Sequence, residues 1–176
     1  MKARDIMTRN PQCILRGDTI ATAAAFMQHL NCGALPVVRG GHSLALLGIL
    51  TDRDIAVRCA AQGHNATACL VEDHMTPQPQ ALRADASVTD VADVMCRAQV
   101  RRIPITQGTD REVVGIVALA DLVHRARRPD LALKVLERVS QAAPVLVTVW
   151  RLAGHPAPPV WSRGAAEAPA ASVAHS

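Results

Sequence analysis

Residues 48–59 read GILTDRDIAVRC, and Thr51, Asp52 and Asp54 stand where an apolar run gives way to a helical pattern. Thr51 and Asp54, three positions apart, match the two ends of a capping box. There a hydroxyl and an acid satisfy each other's backbone N–H groups at a helix start. The same carboxylate, ionised and acceptor-only, could instead take hydrogen bonds from a ligand. A second stretch, CAAQGHNATACLVEDH at 59–74, sets Cys59, His64, Cys69 and His74 at five-residue steps. Cysteine and histidine are the preferred zinc ligands, but these steps exceed the spacing of common structural sites and do not share one helix face. The reading is two small buried thiols and two surface histidines, with zinc as the alternative. The chain has no nucleophile elbow, P-loop lysine or HExxH. Nothing near Asp52 and Asp54 would separate them into an acid and a base. An enzyme is not expected.

Composition narrows the class further. A length of 176 residues suits one compact domain or two small packed units. Half the residues are apolar, yet there is one Phe and no Tyr, so the core must be aliphatic. No apolar run approaches the roughly 20 residues of a membrane helix. The opening MKARDIMTRN lacks the apolar stretch of a signal peptide, and the expected location is cytoplasmic. Five scattered cysteines (Cys13, Cys32, Cys59, Cys69, Cys96) without a CxxC pair argue against a disulfide framework. Net charge is +4, but the densest basic cluster is only Arg125, Arg127 and Arg128. No helix-turn-helix glycine turn or aromatic platform accompanies it, so nucleic acid is not an expected partner.

The chain repeats itself. RDIMTRNPQCIL is answered by EDHMTPQPQAL, with Met7 and Thr8 matching Met75 and Thr76 at a separation of 68 positions. Met27 meets Met95, Pro36 meets Pro104, and Gly48 and Asp54 meet Gly115 and Asp121, now 67 apart. Each copy parses as a short strand, a helix capped by Thr19 or Ser87, two strands, and a closing helix from Asp52 or Leu119. The second long strand of each copy (44–50; 112–117) shows no alternation, which implies burial on both faces. The fold class is α+β, two β-α-β-β-α repeats packed as a pseudo-two-fold pair. One copy of about 60 residues would be marginal alone. The expected units are repeat 1 over 4–62, a linker over 63–71, repeat 2 over 72–128 and an appended amphipathic helix over 129–141 with Pro at its start. The remainder, 142–176, reads as disordered, with VLVTVW a strand or a sticky patch.

Paired D-x-M-T openings, a G-x-x-P-V-V-type strand and the G-I-L-T-D-R-D junction resemble the cystathionine-beta-synthase (CBS) domain pair, or Bateman module, over residues 4–127. The chain is similar to the small stand-alone bacterial members. The resemblance implies a regulatory sensor that binds AMP, ADP, ATP or S-adenosylmethionine between the copies, with no cofactor required. It implies that Asp54 accepts hydrogen bonds from the ribose diol and that Thr51 reaches toward phosphate. A cis-diol offers two adjacent donors suited to a carboxylate, and the N-terminus of the closing helix beside Thr51 favours an anion. Leu35, Pro36, Val37 and Thr8 are the expected walls of an adenine slot. In the second copy Ala118 replaces the threonine while Asp121 remains, which makes Asp121 a candidate ligand contact, with the helix dipole as the other reading, and points to a weaker or empty second site. Arg101 and Arg102 take the places of Gly33 and Ala34, where relatives place phosphate-binding bases; a solvated strand edge is the other reading. Homodimerisation through helix faces, such as Ala21, Ala23, Ala24 and Ala25, is implied, and so is a regulated partner protein. The rival classes are a ligand-free interaction module and a zinc-linked stress protein.

Overall fold

The structure is a computed structural model and describes residues 1–41 and 43–140. The first copy holds α1 (Ala3–Ile6), β1 (Thr8–Arg9), β2 (Ile14–Leu15), α2 (Ile20–His29), β3 (Ala34–Gly40), β4 (Ser43–Thr51) and α3 (Asp52–Asp54). Without a break α3 becomes a π-helical turn, Ile55–Cys59, and a 3-10 turn, Ala60–Gln62. The second copy holds α4 (Val71–His74), β5 (Thr76–Pro77), β6 (Leu82–Arg83), α5 (Val88–Ala98), β7 (Arg102–Gln107), β8 (Glu112–Ala118) and α6 (Leu119–His124). The appended helix is α7, Pro129–Val139, with proline in its first turn. The fold is α+β, as the repeat implies. The expectations of a disordered tail over 142–176 and of a structured VLVTVW patch fall outside the described residues.

Local chemistry explains the element starts. Thr19 Oγ1 accepts the N–H of Thr22 at 3.1 Å. Ser87 and Asp90 close a full reciprocal box, with Asp90 N to Ser87 Oγ at 3.0 Å and Ser87 N to Asp90 Oδ2 at 2.9 Å. Each helix then buries one stripe: Ile20, Ala23 and Met27 on α2, and Val88, Val91, Ala92 and Met95 on α5. Ala23 is therefore a core residue, unavailable to a dimer face.

The strands run in the order β2-β3-β4-β8-β7-β6. Within each copy the pairing is the same: Pro36 opposite Ile49, and Pro104 opposite Ile116. The copies meet in the middle through Ala45 and Glu112. Burial on both faces holds along β4 from Ala45, with Leu47 half-buried. In β8, Val113, Gly115 and Val117 are buried while Val114 and Ile116 between them are only partly covered. That strand has one closed face and one partly open face.

The copies also exchange their leading segments. β1 pairs with β8, setting Thr8 opposite Ile116, and β5 pairs with β4, setting Thr76 opposite Ile49. Ala3 and Ile6 lie fully buried among Met95, Ile103 and Leu122 of the second copy. Val71 is likewise buried among Ile14, Leu35 and Leu50 of the first. The matched methionines and glycines of the repeat are thus partners across copies. Met75 occupies the space a side chain on Gly48 would need, and Met7 does the same at Gly115. Burying such a side chain is worth roughly 1.5–3 kcal/mol. Among the described residues, no helix is long and apolar enough to cross a membrane.

Candidate functional site

Thr51 is the N-cap of α3 in an extended conformation, which turns its side chain toward the first helical N–H groups. Asp54 N donates to Thr51 Oγ1 at 3.2 Å. In return Asp54 Oδ2 accepts from Thr51 N at 2.9 Å and from the Thr51 hydroxyl at 2.7 Å. The other carboxylate oxygen, Oδ1, faces Arg58 Nε at 3.4 Å. Asp54 is only 9% exposed, so its charge is held by a hydroxyl, an amide and a guanidinium. A carboxylate has about four acceptor positions, and this network leaves Oδ1 one further acceptor place.

Arg58 reaches beyond its own helix. Its Nη1 donates to the carbonyls of His74 at 2.8 Å and Met75 at 3.1 Å. Those are the last carbonyls of the exchanged α4, so one guanidinium joins the first copy's junction to the second copy's leader. The second copy repeats the device: Arg125 Nε lies 3.2 Å from Asp121 Oδ1 and Nη1 donates to Ile6 O at 3.0 Å. Asp121 Oδ2 accepts the N–H of Ala118 at 2.8 Å. Asp121, expected to contact ligand, here caps a backbone amide and anchors Arg125. Sequence reasoning missed both arginines, although they stand 67 positions apart like the aspartates.

Thr51, Asp52, Asp54 and Ile49 form one side of a cavity of about 460 Å³ between the copies. Val100, Arg101, Arg102 and Pro104 approach from the second copy, and Thr76 to Gln80 complete it. The volume lies in the range of small-molecule sites. Apolar lining comes from Ile49, Pro77, Pro79, Val100 and Pro104, and positive charge from Arg53, Arg101 and Arg102. Arg102 therefore shares a cavity with Thr51 and Asp54. Glycine at 33 makes this possible: a methyl there would come 2.5 Å from Asp52 Oδ2 and 3.0 Å from Arg102 Nη2.

Leu35, Pro36, Val37 and Thr8, the expected adenine walls, do not border this cavity. Leu35 is 1% exposed and Val37 fully buried, packed into the first copy's core. Neighbouring Pro36 is buried as well, because β3 is covered on both faces over residues 34–38. Proline at the matching place does line the cavity, but it is Pro104 of the second copy. Thr8 lies on β1 against Ile116, and Asp121 sits in the first turn of α6, so both belong to the other copy's junction rather than to this cavity. Thr76, the repeat counterpart of Thr8, borders it together with Thr51.

Of the four spaced Cys and His residues, three converge. The ligating atoms of Cys59, Cys69 and His74 lie within 4.8 Å of one another. His74 is 5% exposed rather than on the surface, because α4 docks against the first copy. His64 is exposed, with its ring centroid 5.6 Å from that of His74. Burial pushes the Cys59 thiol up, and the hydrogen bond with Cys69 acts in the same direction.

Comparison with known proteins agrees with this architecture. The family model described as "CBS domain" matches residues 3–60 and again 71–128. "CBS domain-containing protein YhcV" of Bacillus subtilis is 36% identical over 137 residues, which is 78% of this chain and 94% of that protein. The crystal structure of Hypoxic Response Protein I, described with two coordinated zinc ions, superposes with a TM-score of 0.63 at 33% identity, over 70% of this chain and 97% of that one. The CBS domain pair of protein MJ0100, solved in complex with 5′-methylthioadenosine and S-adenosyl-L-methionine, gives a TM-score of 0.60 at 28% identity, over 69% and 92% of the two chains. With two matched repeats, exchanged leaders and an inter-copy cavity, the chain belongs to the CBS-domain family as a tandem CBS pair.

Proposed function

We propose that the protein binds an adenosine-bearing ligand, an adenine nucleotide or S-adenosylmethionine, in the 460 Å³ cavity and reports its level through a change in shape or partner. One observation carries the reading. A single inter-copy cavity gathers a buried carboxylate, a hydroxyl at a helix start, two arginines and an apolar lining. Asp54 suits the ribose diol, Arg101 and Arg102 suit phosphate or carboxylate, and Ile49 with Pro104 suits a flat base. The adenosyl ligands of the MJ0100 pair support the same ligand class. The protein acts as a regulator, not a catalyst, and works as a homodimer.

Isothermal titration of AMP, ADP, ATP and S-adenosylmethionine into the wild type, Asp54→Ala and Arg102→Ala tests the proposal. Loss of a charge-assisted hydrogen bond should weaken binding by about 1.5–3 kcal/mol, roughly ten- to a hundredfold. Asp54 also caps a helix, so Arg102→Ala is the variant that reads binding alone, because the Arg102 side chain makes no hydrogen bond or ion pair among the described residues. No heat from any of the four ligands with wild type would leave the cavity without this role and favour a ligand-free interaction module.

A further inference from the structure

We infer that Cys59, Cys69 and His74, completed by His64, form a zinc site that clasps the second copy's leading helix to the first copy's closing helix. Three segments converge there. Cys59 ends the π-helical turn, Cys69 lies in the inter-repeat loop, and His74 ends α4. Their ligating atoms already stand within 4.8 Å of one another. Around zinc, with Zn–S near 2.3 Å and Zn–N near 2.0 Å, tetrahedral ligands sit roughly 3.5 Å apart. Shifts of about an ångström in each side chain therefore close the site.

The repeat supplies an internal control. At the places matching Cys59 and His74 the other copy has Ala126 and Ile6, 6% and 0% exposed. The fold fills this spot with two apolar residues in one copy, so packing alone demands neither a thiol nor an imidazole. Exchanging a buried isoleucine for a histidine introduces polar nitrogens that need partners. A metal ion meets that need, and two thiolates with imidazole select zinc over oxygen-seeking calcium or magnesium.

The fourth ligand comes from the loop that closes over the site. Gly63 has φ +71°, a left-handed conformation that turns the chain back. The N–H of His64 then donates to Cys59 O at 3.1 Å, and the His64 ring lies beside that of His74. The loop is anchored further on, where Cys69 O accepts the N–H of Ile20 at 2.9 Å. Metal here would hold the end of α4 and the end of the closing helix to the loop that Cys69 ties to the start of α2.

Zinc content by mass spectrometry, after reconstitution of the full chain with zinc chloride under reducing conditions and exhaustive dialysis, tests the site. One equivalent per chain is expected for wild type, with loss in Cys59→Ala and His74→Ile. Both substitutions copy the other repeat, so the fold should survive, and circular dichroism verifies that it has. Cobalt substitution should give the intense visible bands of a tetrahedral ion and thiolate charge-transfer absorption. Substoichiometric zinc in wild type, equal zinc in both variants, or a Cys59–Cys69 disulfide in place of metal would each overturn the site. An unchanged cobalt spectrum in His64→Ala would overturn the place given to His64.

Discussion

Met75 lies against Gly48, its thioether filling the volume that any side chain at position 48 would require. Met7 and Gly115 repeat the arrangement in the opposite direction. Each copy therefore supplies a knob and receives one, and neither can close its own sheet without the other's leader.

Substituting Gly48→Ala or Gly115→Ala should destabilise the chain by about 1–3 kcal/mol, the usual range for overpacking a filled core. The obstacle at position 48 includes the backbone carbonyl of Thr76 at 3.1 Å as well as the methionine. Methionine is flexible and should yield in part. Urea denaturation of Gly48→Ala, Met75→Ala and the double variant would show it. The double variant should recover part of the sum, and strict additivity would argue that the two residues do not compete for one space.

Arg58→Ala should remove the donors that hold His74 O and Met75 O, and strip Asp54 of its counter-charge. Hydrogen bonds involving a charge are worth about 1.5–3 kcal/mol. The arginine side chain is 46% exposed, so water takes over part of the role and a loss of about 1–2 kcal/mol is expected. Arg58→Lys should recover little, because a point charge cannot copy the planar fork that serves Asp54, His74 O, Met75 O and the Thr76 hydroxyl. Equal stability of the alanine and wild-type chains in urea would remove Arg58 from the junction. Arg125→Ala, acting on Ile6 O and Asp121, should behave alike.

The sequence made the central elements visible because their signals are local. Thr51 and Asp54 lie three apart, α2 and α5 carry hydroxyl caps and apolar stripes, and the repeat shows each element twice. The exchange of leaders was hidden because two-residue strands have no period, and Arg125 reaches back 119 positions to Ile6. Leu35 and Val37 fit a cavity wall by sequence because an apolar strand pattern does not announce which of its faces is closed. Three consecutive buried residues, Leu35 to Val37, reveal a strand covered on both sides. The five-residue spacing of Cys59 to His74 was tested against a single helix, whereas the chain crosses a π-helical turn, a loop and a new helix between them.

Acid should loosen α7 in a defined window. The Arg128 guanidinium grips Asp130 through Nε at 2.8 Å and Nη2 at 2.6 Å, and holds its carboxyl at about 2. The folded value lies below the unfolded value near 3.9, so the unfolded chain takes up the proton first. The pair's contribution is complete above about pH 4 and lost as pH falls toward 2. Both groups are solvent-exposed, so salt should reduce the effect. The difference in urea midpoint between wild type and Asp130→Asn should be constant near neutrality and shrink below pH 4. A difference that persists unchanged to the lowest pH at which the chain is folded would contradict the pairing.

Ala118 interrupts a capping box that is otherwise complete. Its backbone is extended, with φ −98° and ψ 159°, close to the φ −118° and ψ 160° of Thr51. Asp121 already accepts its N–H. Ala118→Thr should therefore place a hydroxyl where it can accept the N–H of Asp121, as Thr51 does for Asp54. Replacing alanine by threonine at an N-cap is worth about 1 kcal/mol, and position 118 is only half-buried. A rise in the urea midpoint of that size, with an unchanged slope, is the expected outcome. In calorimetry the same variant tests the second copy's junction as a ligand site, and tighter binding is the outcome expected of a hydroxyl placed as Thr51 is at the first. A more stable chain with unaltered titration would separate the two roles of the threonine, assigning it to the helix start and leaving ligand affinity to Asp54 and Arg102.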